Sequence, residues 1–348
     1  MISVERYNVA VVGAGSVGEE MLNVLARRSF PVNELKVLAR SAREIVVNGR
    51  SYDVRRTAPE EFDGVDVVLF AGTEGASKEF SWEAVKRGGI VIDNSATYRM
   101  DPRVPLVVPE CNPDDVSWHQ GLIANPNCST IQMVVALKPL YDRSRITRIV
   151  VTSYQAVSGT SREAIEELEH QSILITHGKN VKAGPVYPYQ IGFNLFPHIG
   201  SFREDGYTTE EWKMVEETHK ILGDKEIKVT PTTVRVPVFN SHSEAVYIET
   251  EEKITADEAR ELLSKFPGIV VVDEPRPGDD DEYCRTYPMP IDASGRDEVF
   301  VGRVREDPFI PTGLSMWVVS DNLRKGAALN TVQIAELLIA RGMIKGRR

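Results

Sequence analysis

Short apolar runs separated by helix-period segments fill the first third of the chain. Tyr7-Asn8-Val9-Ala10-Val11-Val12 is apolar and β-branched and ends at Gly13, which predicts a buried strand. Met21, Leu22 and Leu25 then share one helical face, and the pattern stops near Phe30-Pro31. Further buried-strand runs occupy residues 35–39, 65–70 and 90–92, the last two separated by a helix-like segment near 78–87. Strands alternating with helices predict βαβ units on a parallel sheet.

The middle of the chain is patterned differently. Residues 146–154, 228–238 and 244–250 read as longer strands with fewer helices between them. Thr208-x-x-Glu211 and Thr255-x-x-Glu258 are capping boxes that open helices. The first helix is expected to bury Trp212, Val215 and Leu222 and stop at Gly223, the second to stop at Pro267-Gly268. This is the pattern of an α+β domain. Residues 276–281 form a Pro/acid loop, and 330–341 an amphipathic C-terminal helix.

Composition narrows the class. With 42% apolar residues over 348 positions the chain is too apolar for disorder and long enough for two domains. A balance of 41 Lys+Arg against 51 Asp+Glu argues against a general nucleic-acid binder, while a local cationic pocket would still take a small anion. The cysteines Cys111, Cys128 and Cys284 are odd in number and lack Cys-x-x-Cys spacing, which excludes a disulfide framework and argues against structural zinc. His119, His170, His177, His198 and His219 form no metal-binding spacing, so no metal is assigned. No secretory leader pattern and no apolar run of spanning length is visible, so no membrane partner is expected and the cytoplasm is the expected compartment.

Two local patterns carry chemistry. Gly13-Ala14-Gly15-Ser16-Val17-Gly18 is a G-x-G-x-x-G that follows a strand and opens a helix, the context a dinucleotide pyrophosphate requires. The alternative is a glycine-rich turn without a ligand. An NAD-preferring site would place Asp or Glu at the end of the second strand; this one ends Leu38-Ala39-Arg40-Ser41-Ala42-Arg43, whose arginines and hydroxyl suit a 2′-phosphate or form an exposed basic loop. Cys128 follows the Asn125-Pro126-Asn127 turn and precedes an apolar periodic segment that ends at Pro139. That setting puts it at a helix N-terminus, where the dipole favours a thiolate nucleophile, although a lone cysteine is also a common small core residue. Cys111 and Cys284 lack the setting.

These stretches, with Asp93-Asn94-Ser95, Val107-Val108-Pro109-Glu110, Asn125-Pro126-Asn127-Cys128-Ser129-Thr130, Tyr154-Gln155-Ala156-Val157-Ser158-Gly159 and Ser320-Asp321-Asn322-Leu323, resemble the bacterial-type aspartate-β-semialdehyde dehydrogenases in order, over about residues 7–343. The resemblance implies an N-terminal Rossmann domain over 1–127, completed by 323–348, and a central α+β catalytic and dimerisation domain over 128–322. The same resemblance implies that the C-terminal helix returns to the Rossmann domain. It implies NADPH-dependent reductive dephosphorylation of L-aspartyl-4-phosphate, in the biosynthesis of lysine, diaminopimelate, threonine, methionine and isoleucine. The chain is then a homodimer or a dimer of dimers whose small-molecule partners are the acyl phosphate and inorganic phosphate.

Carried over by position, Cys128 is the nucleophile, Gln155 orients the acyl group and His242 is the general acid/base, with a near-neutral intrinsic pKa suited to proton transfer. Arg235, Glu210 and Asn127 hold the substrate, and Arg99 and Lys213 the phosphoryl group. Gly13, Gly15, Ser16, Val17, Gly18, Arg40, Ser41, Ala42, Arg43 and Gly72 bind the cofactor NADP, with Ser158, Gly159 and Asn322 on its nicotinamide side. Each has a plainer alternative: Glu210 and Lys213 are spaced as a helix-surface pair, and Arg99 and His242 could be loop residues. The glycine loop is one residue shorter than the family's usual G-A-T-G-x-V-G, and the segment between Glu163 and Tyr189 is also short. N-acetyl-γ-glutamyl-phosphate reductase, malonyl-CoA reductase and a non-catalytic binding relative are the competing readings.

Overall fold

The computed structural model describes residues 5–273 and 286–346. The Pro/acid loop at 276–281 and Cys284 lie outside the described residues. The chain divides into two compact units, one built of the residues up to Asn127 together with those from Ala327 on, the other of Cys128–Gly326.

The first unit opens with β1 (Tyr7–Val12), α1 (Ser16–Arg27) and β2 (Val32–Ala39), followed by β3 (Arg43–Val47) and β4 (Arg50–Arg56). Then come β5 (Val67–Phe70), α2 (Glu74–Lys86), β6 (Ile90–Asp93) and β7 (Leu122–Ala124). The sheet runs β3-β4-β2-β1-β5-β6-β7, and every pair is parallel except the β3–β4 hairpin. Without β3 this is the 3-2-1-4-5-6 order of a doubly wound dinucleotide fold, with its ligand crevice at the carboxyl ends between β1 and β5. Every residue of β1 and β5 is buried, as strands covered on both faces require. The hairpin is hard to read from the sequence because its outward positions are charged and it has no long apolar run. Its signal is Asn48-Gly49, with φ of 48° and 77°, the turn that joins tightly paired strands.

The second unit begins with α3 (Cys128–Arg143), β8 (Ile146–Gln155), α4 (Arg162–Thr176) and α5 (Thr209–Leu222). It continues with β9 (Lys228–Arg235), β10 (His242–Thr250), α6 (Ala256–Lys265), β11 (Ile269–Val271), α7 (Pro290–Ala293), β12 (Val299–Glu306) and β13 (Gly313–Ser320). A mixed sheet, β11-β12-β13-β10-β8-β9, has α3, α5 and α6 against it. Along β8 the residues alternate, with Ile149, Val151, Ser153 and Gln155 buried and Val150, Thr152 and Tyr154 half-exposed.

Three local expectations change. α3 does not end at Pro139 but carries it inside the helix, buried, and runs on to Arg143. The buried stripe of α5 is Glu210, Met214, Glu217, Thr218 and Ile221, whereas Trp212, Val215 and Leu222 are half-buried. Of its polar members Glu210 accepts from Gln155 at 3.4 Å and Thr218 donates to the Met214 carbonyl at 2.6 Å, while Trp212 instead donates to Asp205 at 2.9 Å. Thr208 and Glu211 form the reciprocal box, but at Thr255 only the hydroxyl half is made, since the Glu258 carboxylate accepts from Arg143 at 2.7 Å.

The final helix, α8 (Leu329–Ala340), rejoins the first unit, where Leu329, Val332, Ala335 and Leu338 share the core with Met21, Leu22 and Leu25 of α1. Even Asn330 and Thr331 are wholly buried, while Gln333 and Glu336 are half-exposed and Ala340 exposed, so its first turn is enclosed and only its later turns present a solvent side. Asn330 ties it down, donating to Asn125 Oδ1 at 2.7 Å and the Val107 carbonyl at 3.0 Å.

Candidate active site

The first unit carries a cradle fitted to a dinucleotide. Gly13 turns with φ 107°, and a Cβ there would stand 2.6 Å from the Ala71 carbonyl oxygen. A Cβ at Gly18 would stand 1.9 Å from the Gly13 oxygen, so α1 packs against the loop only because that position is glycine. At Gly15 a Cβ would meet nothing within 4 Å, the open side onto which the amides of Ser16 and Val17 begin α1. Tight turn, open approach and close helix packing are the three separate glycine roles of the fingerprint, so the residues present fit the cofactor. Gly72 follows β5 across the crevice, against the Phe70 ring. Arg40, Ser41 and Ala42 are exposed at the end of β2, and Arg43 donates from Nη2 to the Ala14 carbonyl at 3.0 Å, which brings its guanidinium onto the glycine loop.

In the second unit Cys128 is the first residue of α3 and half-buried, while Cys111, in the other unit, is buried. Its Sγ lies 3.3 Å from His242 Nε2. His242 opens β10 and is wholly buried. The Ala156 amide donates to His242 Nδ1 at 3.0 Å, so the neutral ring carries its proton on Nε2, facing sulfur. Charging the ring would break that bond, and burial, aided by the Arg235 guanidinium, pushes the imidazole down to about 3. The near-neutral value expected from the free side chain is therefore not kept: His242 is a fixed hydrogen-bond donor at neutral pH.

Around this pair gather the expected substrate residues that belong to the second unit. Arg235 ends β9, is 4% exposed, donates to the Ala156 carbonyl at 2.5 Å, and lies within electrostatic reach of Tyr187, Glu210 and Cys128. Gln155 ends β8 and its Nε2 reaches Ser153 Oγ at 3.3 Å and Glu210 Oε1 at 3.4 Å. Lys213 donates to Glu210 Oε2 at 3.1 Å, so the helix-surface pair expected from spacing points inward through its carboxylate. Arg99 and Asn127 belong to the first unit, both buried, with Arg99 donating to the Asn94 carbonyl at 2.9 Å.

Gly326, Glu244 and Gln132 are not among the residues expected from the sequence, whereas Gly159 and Asn322 are, on the nicotinamide side of the cofactor. A Cβ at Gly326 would stand 2.8 Å from Cys128 Cβ, and one at Gly159 would stand 3.0 Å from His242 Cε1. Gly159 thus packs on the imidazole, and the Asn322 amide is engaged by Ser241 and Ser158. Behind the pair, Glu244 on β10 faces Gln132 on α3, both fully enclosed. Burial holds the Glu244 carboxyl well above the usual range, as a neutral acid. Among the described residues no three His, Cys, Asp or Glu side chains gather as a metal site, and no helix is long and apolar enough to cross a membrane.

A family model described as semialdehyde dehydrogenase, NAD binding domain, matches residues 8–119, and one described as semialdehyde dehydrogenase, dimerisation domain, matches 137–325. The aspartate-semialdehyde dehydrogenase of Aquifex aeolicus is 52% identical, over 97% of this chain and 99% of its own length. Aspartate semialdehyde dehydrogenase II from Vibrio cholerae, solved complexed with ASA, superposes with a TM-score of 0.91 at 43% identity, covering 97% of this chain and 99% of that one. The Candida albicans aspartate semialdehyde dehydrogenase, solved with NADP, gives a TM-score of 0.74 at 25% identity, covering 97% and 100%.

Proposed function

The chain belongs to the aspartate-semialdehyde dehydrogenase family, and from that premise we propose that it reduces L-aspartyl-4-phosphate to L-aspartate-4-semialdehyde and phosphate with NADPH, through a thioacyl group on Cys128. The reaction feeds biosynthesis of lysine, diaminopimelate, threonine, methionine and isoleucine. The observation that carries the reading is the Cys128 Sγ at the start of α3, 3.3 Å from the Nε2–H of a buried neutral histidine and within electrostatic reach of Arg235.

The helix N-terminus and the Nε2–H stabilise negative charge on sulfur, and the thiolate attacks the acyl carbon. The carbon–oxygen bond to phosphate breaks and the leaving oxygen takes one proton from water, so that hydrogen phosphate departs, held by Lys213, with Arg99 the second phosphate contact implied by the family resemblance. Bound NADPH supplies the hydride that reduces the thioester carbon. Oxyanions formed on the acyl oxygen accept from His242 Nε2–H, a preorganised donor in a dry site. When the carbon–sulfur bond breaks, the aldehyde leaves and sulfur returns to the thiolate. Arg235 takes the substrate carboxylate bidentately and Glu210 its ammonium, with Gln155 and Asn127 orienting the chain between.

The glycine cradle and Arg43 support NADP as cofactor. The dimerisation-domain match supports a homodimer formed through the second unit. A nucleophilic thiol that must stay reduced supports a cytoplasmic setting. The test is NADPH consumption with L-aspartyl-4-phosphate, N-acetyl-γ-glutamyl phosphate and malonyl-CoA. Turnover is expected with the first alone, because an acetylated amine would leave the Glu210 carboxylate without its ammonium partner. Preference for either other substrate overturns the assignment.

A further inference from the structure

Ser241 directly precedes His242, is wholly buried, and has φ 73°, a left-handed conformation that a serine adopts only under constraint. The constraint is visible. The Ser241 amide donates to Asn322 Oδ1 at 2.9 Å, and its hydroxyl meets Ser294 Oγ at 2.9 Å. Asn322 is 3% exposed and its Nδ2 donates to Ser158 Oγ at 3.0 Å. Ser158 lies in the turn Val157–Gly159, which is pinned to the other side of the same segment by Val157 and Ser158 amides donating to the carbonyls of Val238 at 2.9 Å and Phe239 at 3.1 Å. Gly159 of that turn lies against the imidazole edge. One amide side chain therefore joins the residue that aims His242 to the turn that backs it. The neighbouring Asp321 acts elsewhere, accepting from the amides of Gly295, Leu323 and Arg324 and so fixing the Asn322 backbone.

We propose that Asn322 is a positioning residue for His242, holding Ser241 in the left-handed conformation so that the imidazole is delivered to Cys128. The proposal rests on the reading of Cys128 and His242 as the reacting pair. It gives the Ser-Asp-Asn motif a role in addition to lining the nicotinamide. If the Asn322 acceptor is lost, the buried Ser241 amide has no partner, and relaxation to negative φ redirects the following Cα–Cβ bond. The thiol pair then loosens without any change in the glycine cradle.

The experiment compares Asn322→Ala, Ser241→Gly and the double variant by steady-state kinetics and by iodoacetamide alkylation of Cys128 in the cofactor-free protein. Losing one buried hydrogen bond predicts a fall in kcat of roughly 5- to 100-fold for Asn322→Ala. Because Asn322 is also placed on the nicotinamide side, a rise in the KM for NADPH can accompany this fall, and the alkylation rate in the cofactor-free protein isolates the positioning role. The alkylation rate should change with kcat. The double variant should regain most of the loss, because glycine occupies the left-handed region without being held there. Unchanged alkylation in Asn322→Ala, whatever its KM for NADPH, would confine Asn322 to the cofactor and overturn the proposal, as would a double variant no better than Asn322→Ala. Should Asn322→Ala fail to fold, Asn322→Asp keeps the Oδ1 acceptor and should keep the alkylation rate; loss there also overturns it. Turnover persisting in Cys128→Ala would instead refute the thioacyl reading, and the alkylation series would still report on Ser241.

Discussion

His242 and Glu244 lie two residues apart on one face of β10, the first beside Cys128 and the Ala156 amide, the second among Gln132 of α3, Ser153 of β8 and Val318 of β13, and their titrations oppose each other. The imidazole is held low in the fold, to about 3 against 6.5, so the unfolded chain binds the extra proton between those values and stability is lost as pH falls below 6.5. At pH 5 the loss through this group alone is about 2 kcal/mol. Urea unfolding at pH 7 and pH 5 should show it in the wild type and not in His242→Gln; equal slopes would contradict the buried neutral ring. The Glu244 carboxyl is raised, so the folded chain keeps a proton that the unfolded chain releases above about 4.5, and stability falls as pH rises. Glu244→Gln should therefore be more stable than wild type at pH 8 and little different at pH 4. Cys128 was legible because a turn, a cysteine and an apolar helix are adjacent in sequence. Glu244 was not, since a carboxylate in an alternating strand has the pattern of a solvent-facing residue until α3 is seen to cover it.

At the scale of elements, one capping box sets a binding surface. Thr208 accepts from the Glu211 amide at 3.3 Å while Glu211 returns the bond to the Thr208 amide at 2.7 Å, fixing the first turn of α5 that carries Glu210 and Lys213. Thr208→Ala should cost about 1 kcal/mol of stability and raise the KM for phosphate more than it lowers kcat. Unchanged KM values would show that Glu210 and Lys213 are placed independently of the cap. This box and the strands β1, β5 and β10 could be read directly, because capping residues and period-two or continuous apolar patterns are local signals. α4 could not, since its buried positions Ala164, Glu167, Leu168 and Gln171 are half polar and its periodicity is weak. Pro139 misled because a buried helix tolerates the missing amide where packing holds the turn.

The molecule as a whole joins a nucleotide-binding unit to one that carries the nucleophile, and cofactor choice is a property of the first. Arg43 is already hydrogen-bonded to the glycine loop, and the second strand ends without a carboxylate for a ribose hydroxyl. A charge-assisted guanidinium contact to a 2′-phosphate favours NADP over NAD by roughly 10- to 150-fold in kcat/KM. Arg40→Ala with Arg43→Ala should remove most of that preference while leaving kcat at saturating cofactor nearly unchanged. A preference untouched by the double substitution would mean that the arginines serve the loop alone.

The central claim is that the acyl group rests on Cys128 until phosphate removes it. The direct measurement runs the reaction in reverse in a stopped-flow mixer, with L-aspartate-4-semialdehyde and NADP and no phosphate. The account predicts a burst of one NADPH per subunit, because the thioester forms once and waits. Added phosphate should then start steady turnover, and Cys128→Ala should show neither phase. Steady NADPH production without phosphate, or a burst that survives Cys128→Ala, would contradict it.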